Sequence, residues 1–299
     1  MGEKDLTQKA LESFPDVFAD CVNALLYESS ELPIPDKLNP DTLIQAPTET
    51  IYRAQGKKFQ NQFDDIGMYE MEGEKIACLY MLENQTTVDK RMILRKVGYE
   101  GANYRAQYDK ECLYPIICMV LYWGSDRWKA PRTLHKLLQE QGRKVPCYVA
   151  ENKLHVFEMA HLPKEIRWRF VSDMRIVVDY LAEGSDYKPT AQKIQHVEAL
   201  LAMLKSLSGD ERYEELSRIL TPDEKEEISM CELLDKYEMR GRKEGRKEGR
   251  KEGRKEGRKE GQHLKALEIA KKLLDVLDIA TIAVKTGLTE EEVRNLQAK

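Results

Sequence analysis

The stretch IACLYMLENQ, Ile76 to Gln85, opens on seven consecutive apolar residues and closes on Glu83, Asn84 and Gln85. An apolar run this short fits a strand buried on both faces better than a helix. Side chains alternate along a strand, so Glu83 and Gln85 point the same way, about 7 Å apart. Polar residues where a strand meets solvent are commonplace. A carboxylate held there is also how a sheet presents an oxygen ligand.

The strand candidate before it, about Phe59 to Met71, joins Lys75–Gln85 through Glu72-Gly73-Glu74, a hairpin signal. A three-residue turn sets Met71 opposite Lys75, pairs residues whose numbers sum to 146, and puts Asp65 opposite Met81. Asp65 then shares a face with Glu83 and lies diagonal to it, with Asp64 on the other face. Diagonal neighbours are about 7–8 Å apart, near enough for two carboxylates to reach one cation. A bulge or a two-residue turn exchanges Asp64 and Asp65. Two carboxylates suit a hard cation such as Mg2+, which takes oxygen ligands and keeps several waters. Such an ion polarises a phosphodiester and acidifies its bound water. Gln85 can hold that water through its amide but brings no positive charge.

Working outward, Asp5 to Tyr27 reads as one amphipathic helix, with Phe14, Phe18, Val22, Leu25 and Leu26 at helical spacing. Pro33, Pro35, Pro40 and Pro47 mark an irregular connection, and about Glu49 to Arg53 is a first strand. Val88 to Tyr108 reads as a helix. LYPIICMVLYW, Leu113 to Trp123, is the most hydrophobic strand in the chain and, after a crossover helix, is expected to be parallel. Val145 to Met159 is read as a further hairpin. The order is α-β-β-β-α-β, a mixed α/β sheet with helices packed on it. Lys164 to Tyr237 is all-helical, with a capping box expected at Thr221–Glu224. The expected divisions are 1–160, a nuclease-like domain; 161–238, a helical region; 239–262, a repeat that is a spacer or a long helix; and 263–299, a helix pair.

The repeat is five Gly-Arg-Lys-Glu units, Gly241 to Glu260, with ten basic and five acidic residues. At i,i+4 it stacks like charge on like charge, and each glycine costs about 1 kcal/mol relative to alanine. An isolated helix is therefore marginal. A solvated spacer and an arm that self-associates or touches nucleic acid are both open. Beyond it, two short helices around Thr286-Gly287 fit either a helix-turn-helix or a structural hairpin. Glu290, Glu291 and Glu292 at the start of the second would repel phosphate.

Composition narrows the classes. The 299 residues are 41% apolar and 33% charged with a net charge of −4, which excludes a generic polyanion binder. Thr86 to Arg132 nevertheless carries nine basic against five acidic residues. The six cysteines are scattered without a Cys-x-x-Cys pair, as expected of reduced thiols. The first residues lack the apolar centre of a signal peptide, and no apolar run approaches the ~20 residues of a membrane span. The expectation is a cytoplasmic, soluble protein. The five histidines have no zinc spacing, and no phosphate-binding glycine loop appears.

Asp, then a hairpin, then Glu-x-Gln on the next strand resembles the PD-(D/E)XK restriction-endonuclease-like core. The likeness is closer to one branch, the Rpn family of recombination-promoting nucleases and transposases. It is carried by FADCVNALLY (18–27), KFQNQFDDI (58–66), LENQ (82–85), RMILRKVGYEGANYRAQ (91–107) and YPIICMVLYWGSDRWKAPRTLHKLL (114–138). The most specific part is the apolar strand running into Trp123-Gly124, with Trp128 and Pro131 beyond. The resemblance implies a metal-dependent DNA endonuclease that promotes recombination. It puts the metal pair on Asp65 and Glu83 and the third catalytic position on Gln85, where the superfamily usually has lysine. It adds Asp20 as an extension of the acidic site, and Arg91, Arg95, Tyr99, Tyr104 and Gln107 as residues toward DNA phosphate. Arg95 serves equally as a salt-bridge partner for a neighbouring acid, and Asp20 as an exposed helix carboxylate. The tail offers a route to a homo-oligomer. The alternative is a nuclease-like scaffold that binds DNA or a protein without cutting.

Overall fold

The computed structural model describes residues 3–27, 37–47, 49–54, 57–62, 66–221 and 228–297. In chain order the strands are β1 (Leu43–Gln45), β2 (Glu49–Ala54), β3 (Lys57–Gln62), β4 (Ile66–Glu72), β5 (Lys75–Gln85), β6 (Ile116–Tyr122) and β7 (His155–Glu158). Five of them form one mixed sheet in the order β1-β4-β5-β6-β7, and β2 and β3 make a separate antiparallel hairpin. β1, β4 and β5 run antiparallel to their neighbours, while β5, β6 and β7 are parallel. The two apolar runs thus lie side by side at the centre, where both faces are covered. Leu82, Met119, Val120 and Leu121 are fully buried, each contributing about 1.5–3 kcal/mol by burial.

Helices cover the sheet. On one face α3 (Met92–Ala106) and α4 (Leu134–Glu140) close over Leu79, Met81, Cys118, Val120, Tyr122 and Val156. Elsewhere in the same unit α1 (Glu3–Glu12) packs on α7 (Val197–Ser208), and α2 (Pro15–Val22) on α6 (Met174–Glu183). Short α5 (Lys164–Arg167) packs on α6, and α8 (Arg212–Ile219) on α7.

Five expectations change. The helix expected over Asp5–Tyr27 is broken: Phe14 is extended (φ −75°, ψ 127°) because Pro15 follows it and opens α2, after which Asn23–Tyr27 winds as a π turn. The strand expected over Phe59–Met71 is two strands, β3 pairing with β2 and β4 with β5. The turn between β4 and β5 has two residues, Gly73 (φ 61°) and Glu74. Ala77 then bulges, so that from Glu70↔Cys78 to Ile66↔Leu82 paired numbers sum to 148 rather than 146. Met81 therefore faces Gly67, not Asp65. The hairpin expected over Val145–Met159 is the single strand β7, parallel to β6; the chain before it turns at Pro146, whose carbonyl accepts from Val149 N–H at 3.0 Å. The first strand of the sheet, β1, lies in the connection read as irregular.

The chain divides into two compact units, Met1–Glu232 and Leu233–Lys299. The repeat lies in α9, a continuous helix of 44 residues (Met230–Leu273). Its side-chain pairs Arg240–Glu244 and Arg242–Glu238, both 2.8 Å, each use a residue just upstream of the repeat, where the like-on-like stacking has not begun. Beyond it, α10 (Ile279–Thr286) and α11 (Glu290–Gln297) fold around Ala270, Ile282, Leu288 and Val293. Gly287 (φ 74°) turns the chain between them, and Thr289 and Glu292 form a reciprocal capping box. The Thr221–Glu224 capping box lies partly outside the described residues. Among those described, no helix is long and apolar enough to cross a membrane.

Candidate active site

The carboxyl end of β5 sends its side chains to two different places. Glu83 and Gln85 continue the row of Leu79 and Met81 and so face α3, while Asn84 points through the other face. Glu83 is fully buried. Its Oε1 accepts from Gln85 Nε2 at 2.9 Å and lies 2.6 Å from Arg95 Nη2.

Arg95 reaches Glu83 because it sits on the sheet-facing stripe of α3 with Met92, Tyr99 and Asn103. Its Nε and Nη2 donate to the Tyr99 hydroxyl at 3.1 and 2.9 Å, and Asp89 stands 3.7 Å from Nη1. Burial pulls the guanidinium's pKa down, but Glu83 and then Tyr99 outweigh it, leaving it raised. Gln85, Glu83, Arg95 and Tyr99 thus form one hydrogen-bonded chain.

On the opposite face, Asn84 accepts from Trp123 Nε1 at 2.5 Å and donates to Glu12 of α1 at 2.6 Å. This buried junction fixes the strand end that carries Glu83. Its sequence signal is an amide in a buried strand, which must find partners, but the partners lie 72 and 39 positions away.

Other expected site residues are placed differently. Asp20 is buried on α2, accepting from the backbone N–H groups of Val171 and Ser172 and from the Ser172 hydroxyl. It ties α2 to the segment just before α6. Gln107 is buried and accepts from the Tyr114 N–H at 2.9 Å, linking the end of α3 to β6. Tyr104 is half exposed, its hydroxyl accepting from Ile116 N–H at 3.2 Å. Arg91 is exposed at the start of α3. Asp64 and Asp65 lie outside the described residues, which contain no group of three or more His, Cys, Asp or Glu able to hold a metal.

Fold and site together define a mixed α/β domain with a buried acid, paired to a guanidinium, at the carboxyl end of a central strand. Residues 57–209, just over half of the chain, match the family model described as "Putative transposase, YhgA-like", and the chain belongs to that family, in the Rpn group. No curated protein and no solved structure is significantly similar to it.

Proposed function

We propose that this protein is a metal-dependent DNA endonuclease whose cuts promote recombination, built on a PD-(D/E)XK core. Family membership supports a DNA-processing role. The sheet order β1-β4-β5, then α3, then β6 supports the core, with the β2–β3 hairpin as an insertion. The observation that carries the reading is Glu83, a fully buried carboxylate at a strand end with Gln85 and Arg95 gathered on it.

Glu83 and Gln85 bring side-chain oxygens to the end of β5, a donor type that suits a hard cation. Glu83 would hold the ion with Asp65, which is bonded to Ile66, the partner of Leu82, just as Glu83 is bonded to Leu82. The bound ion supplies Lewis acidity and an acidified water. Gln85 orients the attacking water through its amide. Arg95 supplies the positive charge that glutamine lacks and can pair with a phosphate oxygen. Tyr99 holds the guanidinium in place. The second reading, a scaffold that binds DNA without cutting it, is favoured by Gln85 in the usual lysine position.

The test is nicking of supercoiled plasmid with Mg2+ by wild type, Glu83→Ala and Asp65→Ala. Loss in both variants supports the nuclease and the metal pair. Loss in Glu83→Ala alone passes the second ligand to Asp64. DNA binding without cleavage in wild type supports the scaffold, and equal activity in all three overturns this site.

A further inference from the structure

The most specific sequence feature, the strand running into Trp123-Gly124 and on to Pro131, has no part in the chemistry at Glu83. In the structure it becomes a rigid loop at the same edge of the sheet. Gln85, Tyr122 and Glu158 are partners in one row across β5, β6 and β7, so they point to one face at the carboxyl ends of three parallel strands. At about 4.8 Å per strand, Glu158 lies about 10 Å from Gln85. The carboxyl edge of parallel strands is where open α/β sheets bind ligands.

The loop is held at several points, while Asp126, Arg127 and Lys129 are exposed. The Tyr122 ring packs so closely on Gly124 that a Cβ there would fall 2.2 Å from the Tyr122 hydroxyl, and it meets Trp128 edge-on at 5.2 Å. His161 Nε2 contacts the Ser125 carbonyl at 2.8 Å. The Glu158 carboxylate accepts from Trp128 N–H at 3.2 Å and Arg132 Nη2 at 2.7 Å, and Arg132 Nη1 donates to the Val156 carbonyl at 2.9 Å. Arg127 touches Glu158 only at 3.5 Å and is 65% exposed. Lys129 is exposed and its neighbours Trp128 and Ala130 are buried, so the loop anchors on either side of it. The loop also carries Asp126, leaving the four charges from Asp126 to Arg132 at a net +2.

We infer that the Gly124–Arg132 loop is a backbone clamp for duplex DNA, with Arg127 and Lys129 contacting phosphates that flank the one at Glu83. This rests on the nuclease reading and deepens it. A loop fixed before binding loses little entropy on meeting the backbone. The contacts carry no base information, so the clamp positions DNA and leaves sequence preference to other residues.

The test is duplex affinity across a salt series, with plasmid nicking alongside, for wild type, Glu83→Gln and Arg127→Glu/Lys129→Glu. The clamp predicts that charge reversal weakens duplex binding about tenfold or more and lowers the salt slope by about 2. Nicking at sub-saturating DNA should fall in step with the lost affinity. Glu83→Gln should show the reverse, binding without nicking. Unchanged affinity and slope in the double variant, with wild type still nicking through Glu83, overturn the clamp and leave the nuclease standing. A wild type that binds no duplex overturns both. Arg127→Lys/Lys129→Arg should restore binding, separating lost charge from a damaged loop.

Discussion

Arg95 Nη2 stands 2.6 Å from a Glu83 carboxylate that solvent does not reach. A guanidinium from α3 and an acid from β5 thus hold each other where a divalent cation is proposed to bind. Removing one side alone leaves an uncompensated charge. Arg95→Ala should therefore destabilise the first unit by about 1–3 kcal/mol, discounted from a fully buried pair because Arg95 is 35% exposed. Adding Glu83→Gln to Arg95→Ala should recover part of the loss. Urea denaturation of the four proteins gives the coupling, and additive losses would contradict a working ion pair.

Gln85 should act on turnover rather than on binding. Its amide reaches Glu83 and carries no charge to attract DNA. Gln85→Ala is expected to slow Mg2+-dependent nicking about tenfold or more, as loss of a positioning group does, with duplex affinity unchanged. Gln85→Lys should keep nicking, because an ammonium there can replace the amide beside the carboxylate. Single-turnover nicking against duplex titration separates the two effects.

The Asn84 junction should matter for stability and be silent in DNA binding. Asn84→Ala leaves the buried Glu12 and Trp123 without the amide they share. The expected cost is about 1–3 kcal/mol. The emission of Trp123 should shift as its indole N–H loses its acceptor. An unchanged spectrum and melting point would mean that the junction contributes nothing to holding the strand end.

Asp20 gives a pH signature of fixed sign. Burial raises its pKa above the ordinary 3.8, against the opposing Ser172 and Val171 hydrogen bonds. A raised acid favours the folded state when protonated, so its contribution is complete below 3.8 and is lost as pH rises through the folded value. The stability of wild type relative to Asp20→Asn should therefore improve as pH falls from 7 toward 4. A relative stability that declines over that interval would reverse the assignment.

The glycines of the repeat should be replaceable. A Cβ added at Gly241, Gly245, Gly249, Gly253 or Gly257 meets nothing within 4 Å. Each Gly→Ala change should favour the helix by about 1 kcal/mol, read as slower amide exchange along α9. Glycines needed for close packing would lose stability instead.

The centre of the fold was legible and its edges were not. The runs of β5 and β6 are too apolar and too short for anything but interior strands, and alternation alone put Glu83 and Gln85 on one face. The register slipped because Glu72-Gly73-Glu74 fits a two- or a three-residue turn equally well, and nothing about Ala77 announces a bulge. β1 hid between prolines, since three residues carry no readable period. Arg95 was visible as a helix cation beside an acid, but its choice of Glu83 depends on tertiary packing. Asp20 was legible as a helix acid, but its partners Val171 and Ser172 lie 151 and 152 positions away.

The four-residue repeat in α9 also couples length to direction. A helix advances 1.5 Å and turns 100° per residue, so adding or losing one Gly-Arg-Lys-Glu unit moves the downstream chain by about 6 Å and swings it by about 40°. The number of units is then a setting as well as a length. Copies that differ by one unit would aim the α10–α11 pair at different bearings from the start of the repeat, and about nine units would bring the bearing full circle. Variation in copy number would re-aim the end of the chain without altering any residue in it.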